Sequence, residues 1–355
     1  MTPWLVPPAG PAEARRAAIA AQVPVRLTER LRLDVPRIED FAVYRRIVAD
    51  YDPSMSGEDT WLDFNQMTAG WLLRGYGLHA IRDRATGETL GLAPMGHEWG
   101  DPEPELGWFL TPEARGKGYA AEAGRAILDA YAELGIDPVA YVGVDNAPSG
   151  AVAARIGMER AESTRGCDVW RAPRLARNIP GEARSAGGSA PTLRTARLTL
   201  RPIRRDDFEP WAAFLASPRA RFMEEGIDRD TAWDWLMHDA ASWSLMGHGG
   251  LMIEAGGETV GEVSVLHPPR FPEREIGWLL YEGREGHGYA TEAAAALRDH
   301  LTAAGVIDAP LVSYIDPRNA ASIAVAERLG AVLDPNAEAP EPGTLVYRHP
   351  FGGAE

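Results

Sequence analysis

The chain has 355 residues, room for two domains of ordinary size, and its 45% hydrophobic and 25% charged residues suit a soluble globular protein. A net charge of −15 argues against a nucleic-acid partner, which needs a basic face, and favours amine-bearing or positively charged ones. No apolar run approaches the roughly 20 residues of a membrane span, and the single cysteine, Cys167, cannot close an internal disulfide, as expected of a cytoplasmic protein.

Residues 1–23, rich in Pro, Ala and Arg, read as an N-terminal extension, disordered or loosely docked, with one short helix conceivable over 13–21. A first domain, 24–172, opens on the alternating strand Thr28-Glu29-Arg30-Leu31-Arg32-Leu33. Helices are predicted over about 39–49 and 58–74, then a hairpin of strands 78–82 and 88–95 about Thr86-Gly87. Strand 105–110, helix 117–134, strand 139–144, helix 149–156 and two short strands near 158–162 and 168–171 complete the unit. Residues 173–192 have linker composition. From Thr195-Ala196-Arg197-Leu198 the pattern restarts and fills a second domain, 193–350.

The repeat holds at a spacing of about 170 positions: Asp207-Phe208 follows Asp40-Phe41, Trp233 and Trp243 follow Trp61 and Trp71, and His267 follows His97. A whole domain has been duplicated. Runs of hairpin mixed with helical crossovers predict, in each copy, a mixed and mostly antiparallel sheet flanked by helices, an α/β (α+β) fold. The longest shared stretch is Glu105–Ala123 and Glu275–Ala293, a strand, a tight glycine turn and a helix start. The turns are Arg115-Gly116-Lys117-Gly118-Tyr119-Ala120 and Glu285-Gly286-His287-Gly288-Tyr289-Ala290. Glycines let the backbone close on a ligand, and free N–H groups opening a helix suit a phosphate.

This order resembles the GNAT acetyltransferase superfamily in both halves, 25–172 and 193–350. Within it the chain looks most like the branch of ribosomal-protein N-terminal acetyltransferases. The resemblance is carried by Thr-x-Arg-Leu-x-Leu at each start, Gly-Tyr-Ala-x-Glu-Ala at each glycine turn, and Asn-x-x-Ser at Asn146–Ser149 and Asn319–Ser322. It implies acetyl-CoA as co-substrate, its pyrophosphate on Arg115, Gly116, Lys117, Gly118, Tyr119 and Ala120 and on Gly286, His287, Gly288, Tyr289 and Ala290. The strands 105–110 and 275–280 would splay from their neighbours to admit the pantetheine arm, with Asn146 and Asn319 beside it. Two departures stand out. Glu285 occupies a place where the family often has Arg or Gln, and an acid near phosphates is unfavourable unless it points away. Ala153 and Ala326 stand where many relatives carry a tyrosine acid, leaving Ser149 and Ser322 as candidates for that role or as helix caps.

Acetyl transfer to an amine needs a neutral nitrogen. An α-amine, with a pKa of about 8, is roughly a tenth neutral at pH 7, whereas a lysine, at about 10.4, is neutral about once in a few thousand. Glu105 and Glu275, in the same place in both copies, are the candidate bases; salt-bridged strand residues are the alternative. Glu122 and Glu292 read as structural, and His97 and His267 as loop packing, with a base or proton relay as the alternative for the histidines. No His/Cys/Asp cluster has metal-ligand spacing. Asp50, Asp52, Glu58, Asp59 and Trp61, with Glu224, Glu225, Asp228, Asp230 and Trp233, are the acceptor-side residues, suited to a small-molecule amine or a protein N-terminus; a solvated helix face and core packing explain them as well. The expected reaction is direct acetyl transfer, by a monomer with pseudo-dimeric halves or by a homodimer. A non-catalytic acyl-CoA-binding or scaffold pair is the competing reading.

Overall fold

The computed structural model describes residues 5–97, 101–164, 166–172, 190–224 and 226–351. The chain divides into two compact units, residues 21–187 and residues 188–355 together with 1–20. The expected linker lies outside the described residues as far as 189, and so does Glu225.

Helix α1 (Gly10–Ala20) belongs with the second unit and is described there. The first unit runs β1 (Arg26–Leu27), β2 (Leu31–Asp34), α2 (Asp40–Tyr51), α3 (Gly57–Leu73), β3 (Leu78–Asp83) and β4 (Thr89–Gly96). It continues with β5 (Glu105–Leu106), β6 (Phe109–Leu110), α4 (Tyr119–Glu133), β7 (Val139–Gly143), α5 (Ala147–Arg155), β8 (Glu159–Thr164) and β9 (Cys167–Arg171). The strands lie in the order β1-β2-β3-β4-β5-β7-β9-β8, with β6 also on β4. Every pairing is antiparallel except β5 with β7. Helix α3 starts at Ser56, whose hydroxyl accepts from the Asp59 amide, and it buries Trp61, Phe64 and Trp71 on the sheet. The Trp71 indole N–H donates to the Leu78 carbonyl, so the polar edge of that ring is satisfied inside the core.

The second unit repeats the plan: β10 (Leu193–Arg194), β11 (Leu198–Arg201), α6 (Phe208–Leu215), α7 (Arg229–Met246), β12 (Gly250–Ala255), β13 (Glu258–Leu266) and β14 (Glu275–Leu280). Then come α8 (Tyr289–Ala303), β15 (Val312–Ile315), α9 (Ala320–Arg328), β16 (Val332–Leu333) and β17 (Leu345–Arg348), with sheet order β10-β11-β12-β13-β14-β15-β17-β16. Helix α1 is docked rather than loose. It buries Ala12, Arg16 and Ile19, places the Arg15 guanidinium 5.9 Å from the Trp243 ring centre, and runs so close that a Cβ on Gly247 would lie 2.5 Å from the Ala12 carbonyl oxygen. Its apolar positions are short alanines and one isoleucine, too weak a pattern to announce docking from sequence.

Three details separate the copies or explain their shared residues. The stretch predicted as one strand over 105–110 is continuous as β14 in the second unit but broken into β5 and β6 in the first. Pro94 of β4 is the reason: it accepts from the Gly107 amide at 2.9 Å but has no N–H to return, whereas Ser264 at the matching place pairs with Gly277. Gly91 and Gly261 recur because a Cβ on either would stand 2.1 Å from a carbonyl oxygen of the next strand, that of Phe109 or Leu279. A buried ion network recurs with its partners exchanged. Arg82 on β3 is held by Asp34 and Asp40 at 2.8 and 2.7 Å, while in the copy Arg201 on β11 is held by Glu254 and Asp207 at 2.5 and 2.7 Å.

Candidate active site

In each unit the glycine turn has the backbone a helix start needs. Gly116 and Gly118 lie at φ +73° and +83°, Gly286 and Gly288 at +80° and +78°. A Cβ on Gly116 or Gly286 would meet nothing within 4 Å, so these two glycines are required by conformation rather than by space. The next helices, α4 and α8, begin on Gly118 and Gly288 without any side-chain cap, leaving their first amides unclaimed for an anion.

What holds the turn is a clamp built from two motifs far apart in sequence. Glu122, one turn into α4, accepts from the Thr28 hydroxyl at 2.5 Å, the Arg30 amide at 2.9 Å and Arg30 Nε at 2.7 Å. The same guanidinium donates to the Lys117 carbonyl at 3.0 Å and lies 4.6 Å from the Tyr119 ring centre. Thr195, Arg197, Glu292, the His287 carbonyl and Tyr289 repeat every contact. Binding a turn carbonyl from behind turns the adjacent amides outward. Glu122 and Glu292 are thus structural, as expected, and their pKa falls despite burial because each accepts several hydrogen bonds. The sequence showed Thr-x-Arg and Gly-Tyr-Ala-x-Glu only as separate repeats.

Beside the turn the sheet forks. Strands β5 and β7 share one registered pair, Glu105 with Val139, and β14 and β15 share one, Glu275 with Val312, before they part. The amide two residues on, Tyr141 or Tyr314, has lost its strand partner at that point. The glutamate side chain supplies the acceptor: Glu275 takes the Tyr314 amide at 3.1 Å, and Glu105 takes that of Tyr141. Both carboxyls are pushed up to about 7, chiefly by burial. Asp101 adds to the rise at Glu105, and the tyrosine amides oppose it in both.

The four remaining candidates sit at the start of the helix after the fork. Asn146 and Asn319 cap α5 and α9, accepting from the Ser149 amide at 3.2 Å and the Ser322 amide at 3.1 Å. The caps are therefore the asparagines, not the serines. Ala153 and Ala326, which have no proton to give, are completely buried. His97 donates to the Asp101 carbonyl at 2.9 Å and stays in its loop, while burial lowers the pKa of His267.

On the acceptor side the core-packing alternative holds for the two tryptophans. Trp61 and Trp233 are core residues, 1% and 4% exposed. Asp59 and Asp228 are engaged at the starts of α3 and α7, Asp52 holds Ser54, and Asp50 pairs with Arg115. In the first unit a cavity of about 200 Å³ instead brings Glu105 together with Tyr44, Tyr51, Asp63, Asp101 and Phe109. The Tyr44 hydroxyl donates to Asp63, whose pKa is raised by burial, and the Tyr51 and Phe109 rings are stacked at 5.9 Å. A second cleft, of about 490 Å³, is lined by the ion-paired residues Asp40, Arg46, Arg82 and Glu113 and shares no residue with the first. In the second unit the helix acid lies one turn further along, at Asp239, beside the buried Glu262 of β13. No spacing rule distinguishes Asp63 or Asp239 from the solvated acids of the same helices. Among the described residues no group of His, Cys, Asp and Glu could hold a metal ion, and no helix is long and apolar enough to cross a membrane.

The acetyltransferase (GNAT) domain family matches twice, over residues 30–159 and 197–332. The chain belongs to the GNAT acetyltransferase family. It is an N-acetyltransferase that takes acetyl-CoA as co-substrate. An acetyltransferase from Agrobacterium tumefaciens str. C58 is similar to one half of this GNAT pair: 47% identical, covering 49% of this chain and 99% of its own, with a TM-score of 0.44. A RimL ribosomal L7/L12 alpha-N-protein acetyltransferase is 19% identical over 47% of this chain and 96% of its own, at a TM-score of 0.38. The microcin C7 self-immunity acetyltransferase MccE, solved with acetyl-CoA and AMP, is 18% identical over 43% and 91%, at 0.35. No curated protein matches the chain.

Proposed function

We propose that both domains acetylate a primary amine, with Glu105 and Glu275 taking the amine proton. The observation that carries this is the fork. In each domain a carboxyl whose pKa is near 7 lies where two parallel strands separate, one strand away from an uncapped glycine turn. A base with that pKa is partly ionised at neutral pH and can still accept a proton, which is the compromise general-base catalysis favours. The donor's phosphates would rest on the amides of 115–120 and 286–290. Asn146 and Asn319, with their oxygens committed to the caps, would offer Nδ2 to the pantetheine arm. The donor supplies a thioester acetyl; on this chain's side, Ser149 and Ser322 have hydroxyls free to return a proton to the departing sulfur.

For the acceptor, the carboxylates and rings around Glu105 suit a cationic small-molecule amine or a protein N-terminus, in the cytoplasm. A cationic amine loses one proton to Glu105 before it attacks; its nitrogen gives up a second as the C–S bond breaks, the serine hydroxyl passing that proton to the sulfur, so that an amide and a free thiol leave. Calorimetric titration of the whole chain with acetyl-CoA tests the reading. Two binding events are expected, one abolished by replacing Gly118 with Val and the other by replacing Gly288. An absence of binding would leave only a scaffold.

A further inference from the structure

The two glycine turns differ at two positions: His287 stands where the first has Lys117, and at the opening residue the charge is reversed. In the first domain Arg115 opens the glycine turn, its Nε donates to the Leu110 carbonyl at 3.2 Å, and it pairs with Asp50 at the end of α2 at 2.7 Å. In the second domain the turn opens on Glu285, the reverse charge. Yet a guanidinium is still there. It comes from Arg219, in the short 3-10 turn Pro218–Ala220 that follows α6. Its Nη1 pairs with Glu285 at 2.6 Å and its Nη2 donates to the Leu280 carbonyl at 3.3 Å. Leu280 holds the same place in β14 that Leu110 holds in β6, since each faces the matching glycine, Gly261 or Gly91. The ion pair has therefore been reversed between the helix end and the turn, while a guanidinium remains on the same strand-end carbonyl.

We infer that Arg219 is a donor-phosphate ligand of the second domain, taking the place that Arg115 fills in the first. This rests on the donor reading given above. Several features favour a ligand over a mere strut. Arg219 is half-buried and its Nε is enclosed without any acceptor, so the side chain is fixed but not saturated. The pair with Glu285 satisfies one amine nitrogen and leaves part of the fork free for an anion, as the Asp50 pair does for Arg115. Glu285 is held by its own amide and by Arg219, which together keep its pKa low, so the acid already has its partners. The inversion also explains how the turn tolerates an acid. The phosphate site then draws on the acceptor-side segment of its own domain.

The test is titration of the full chain with coenzyme A at low and moderate salt, fitted to two sites. Replacing Arg219 by Ala should weaken one of the two sites by about tenfold, the worth of a charge-assisted contact at a half-exposed position, and should flatten the salt dependence of that site. Replacing Arg115 by Ala should do the same to the other site. The exchange Arg219→Glu with Glu285→Arg returns the guanidinium to the turn, as in the first domain, and should restore both affinity and salt dependence. Two sites that stay within twofold of wild type in the Arg219→Ala chain would overturn the inference. So would a weakened site whose salt dependence is unchanged, or an exchange that rescues nothing, because either would make Arg219 a support for the loop. A wild-type chain without any coenzyme A site would instead remove the donor reading itself, with intact Arg219–Glu285 contacts no longer bearing on a ligand.

Discussion

Replacing Glu105 and Glu275 together by glutamine tests the chemistry most directly. Glutamine keeps the side-chain oxygen that receives the Tyr141 and Tyr314 amides, so the fork retains its hydrogen bond and loses only a proton acceptor. With a pKa of about 7, the native carboxyls are ionised in about a tenth of molecules at pH 6, half at pH 7 and about nine-tenths at pH 8. The base must be ionised to act, so turnover at saturating acetyl-CoA should climb roughly tenfold between pH 6 and pH 8 through this group alone. Loss of a positioned base typically costs about a hundred- to ten-thousandfold in rate. The double variant should fall by at least the lower figure, and its residual rate should follow only the titration of the acceptor amine. The assay is continuous release of free thiol from acetyl-CoA between pH 5.5 and 9, with the single variants dividing the activity between domains. A double variant that keeps more than a tenth of the rate, or an inflection still near pH 7, would refute the reasoning.

Other outcomes follow from the packing. Glu262 is 2% exposed, its carboxyl pushed well up by burial and by Asp239. The folded protein therefore holds a proton that the unfolded chain releases above its ordinary range near 4.5, and stability declines as pH rises beyond that value. Glu262→Gln should raise the thermal midpoint by about 2–4 °C at pH 8 and by much less at pH 4.5; equal shifts at both would contradict a buried neutral carboxyl. Removing the clamp with Arg30→Ala should change stability by less than about 1 kcal/mol, because the pair is half exposed, while weakening coenzyme A several-fold at one of two calorimetric sites. An unchanged affinity would show that the turn holds itself. Gly91→Ala and Gly261→Ala force a Cβ against a carbonyl, and urea denaturation should find each destabilised by about 1–3 kcal/mol. Deleting residues 1–20 should speed hydrogen exchange in α7, which contacts α1, and leave the amides of α3 unchanged.

Much of this protein is written in its one-dimensional pattern. The duplication, the mixed sheet and the glycine turn are legible because each depends on local spacing. Alternation marks β2 and β11, 3.6-residue periodicity marks α4 and α8, and paired glycines signal positive φ before a helix. Glu105 and Glu275 stand out by recurrence as candidates, but spacing does not separate a base from a side chain that fills the fork's missing hydrogen bond. The capping asparagines were visible as a motif, although which of Asn146 and Ser149 does the capping depends on a side-chain direction that spacing leaves open.

Other features exist only where distant segments meet. Arg30 and Glu122 are 92 positions apart, and nothing in either motif says that one grips the other. Arg219 reaches the second glycine turn from a loop 66 positions away, so the acid at Glu285 looked like a defect until its partner was in view. Asp63 lines the pocket while Asp59, one turn earlier on the same helix, merely sits at the helix start. Helix α1 crosses the chain to the second unit because its small side chains fit against Gly247, a complementarity of two surfaces rather than of any residue pattern. The sequence by itself determined the elements and the chemistry that recurs in register. Tertiary structure decided which charges meet, because the pairing of a guanidinium with a carbonyl or carboxylate depends on separation in space, and the order of residues along the chain does not specify it.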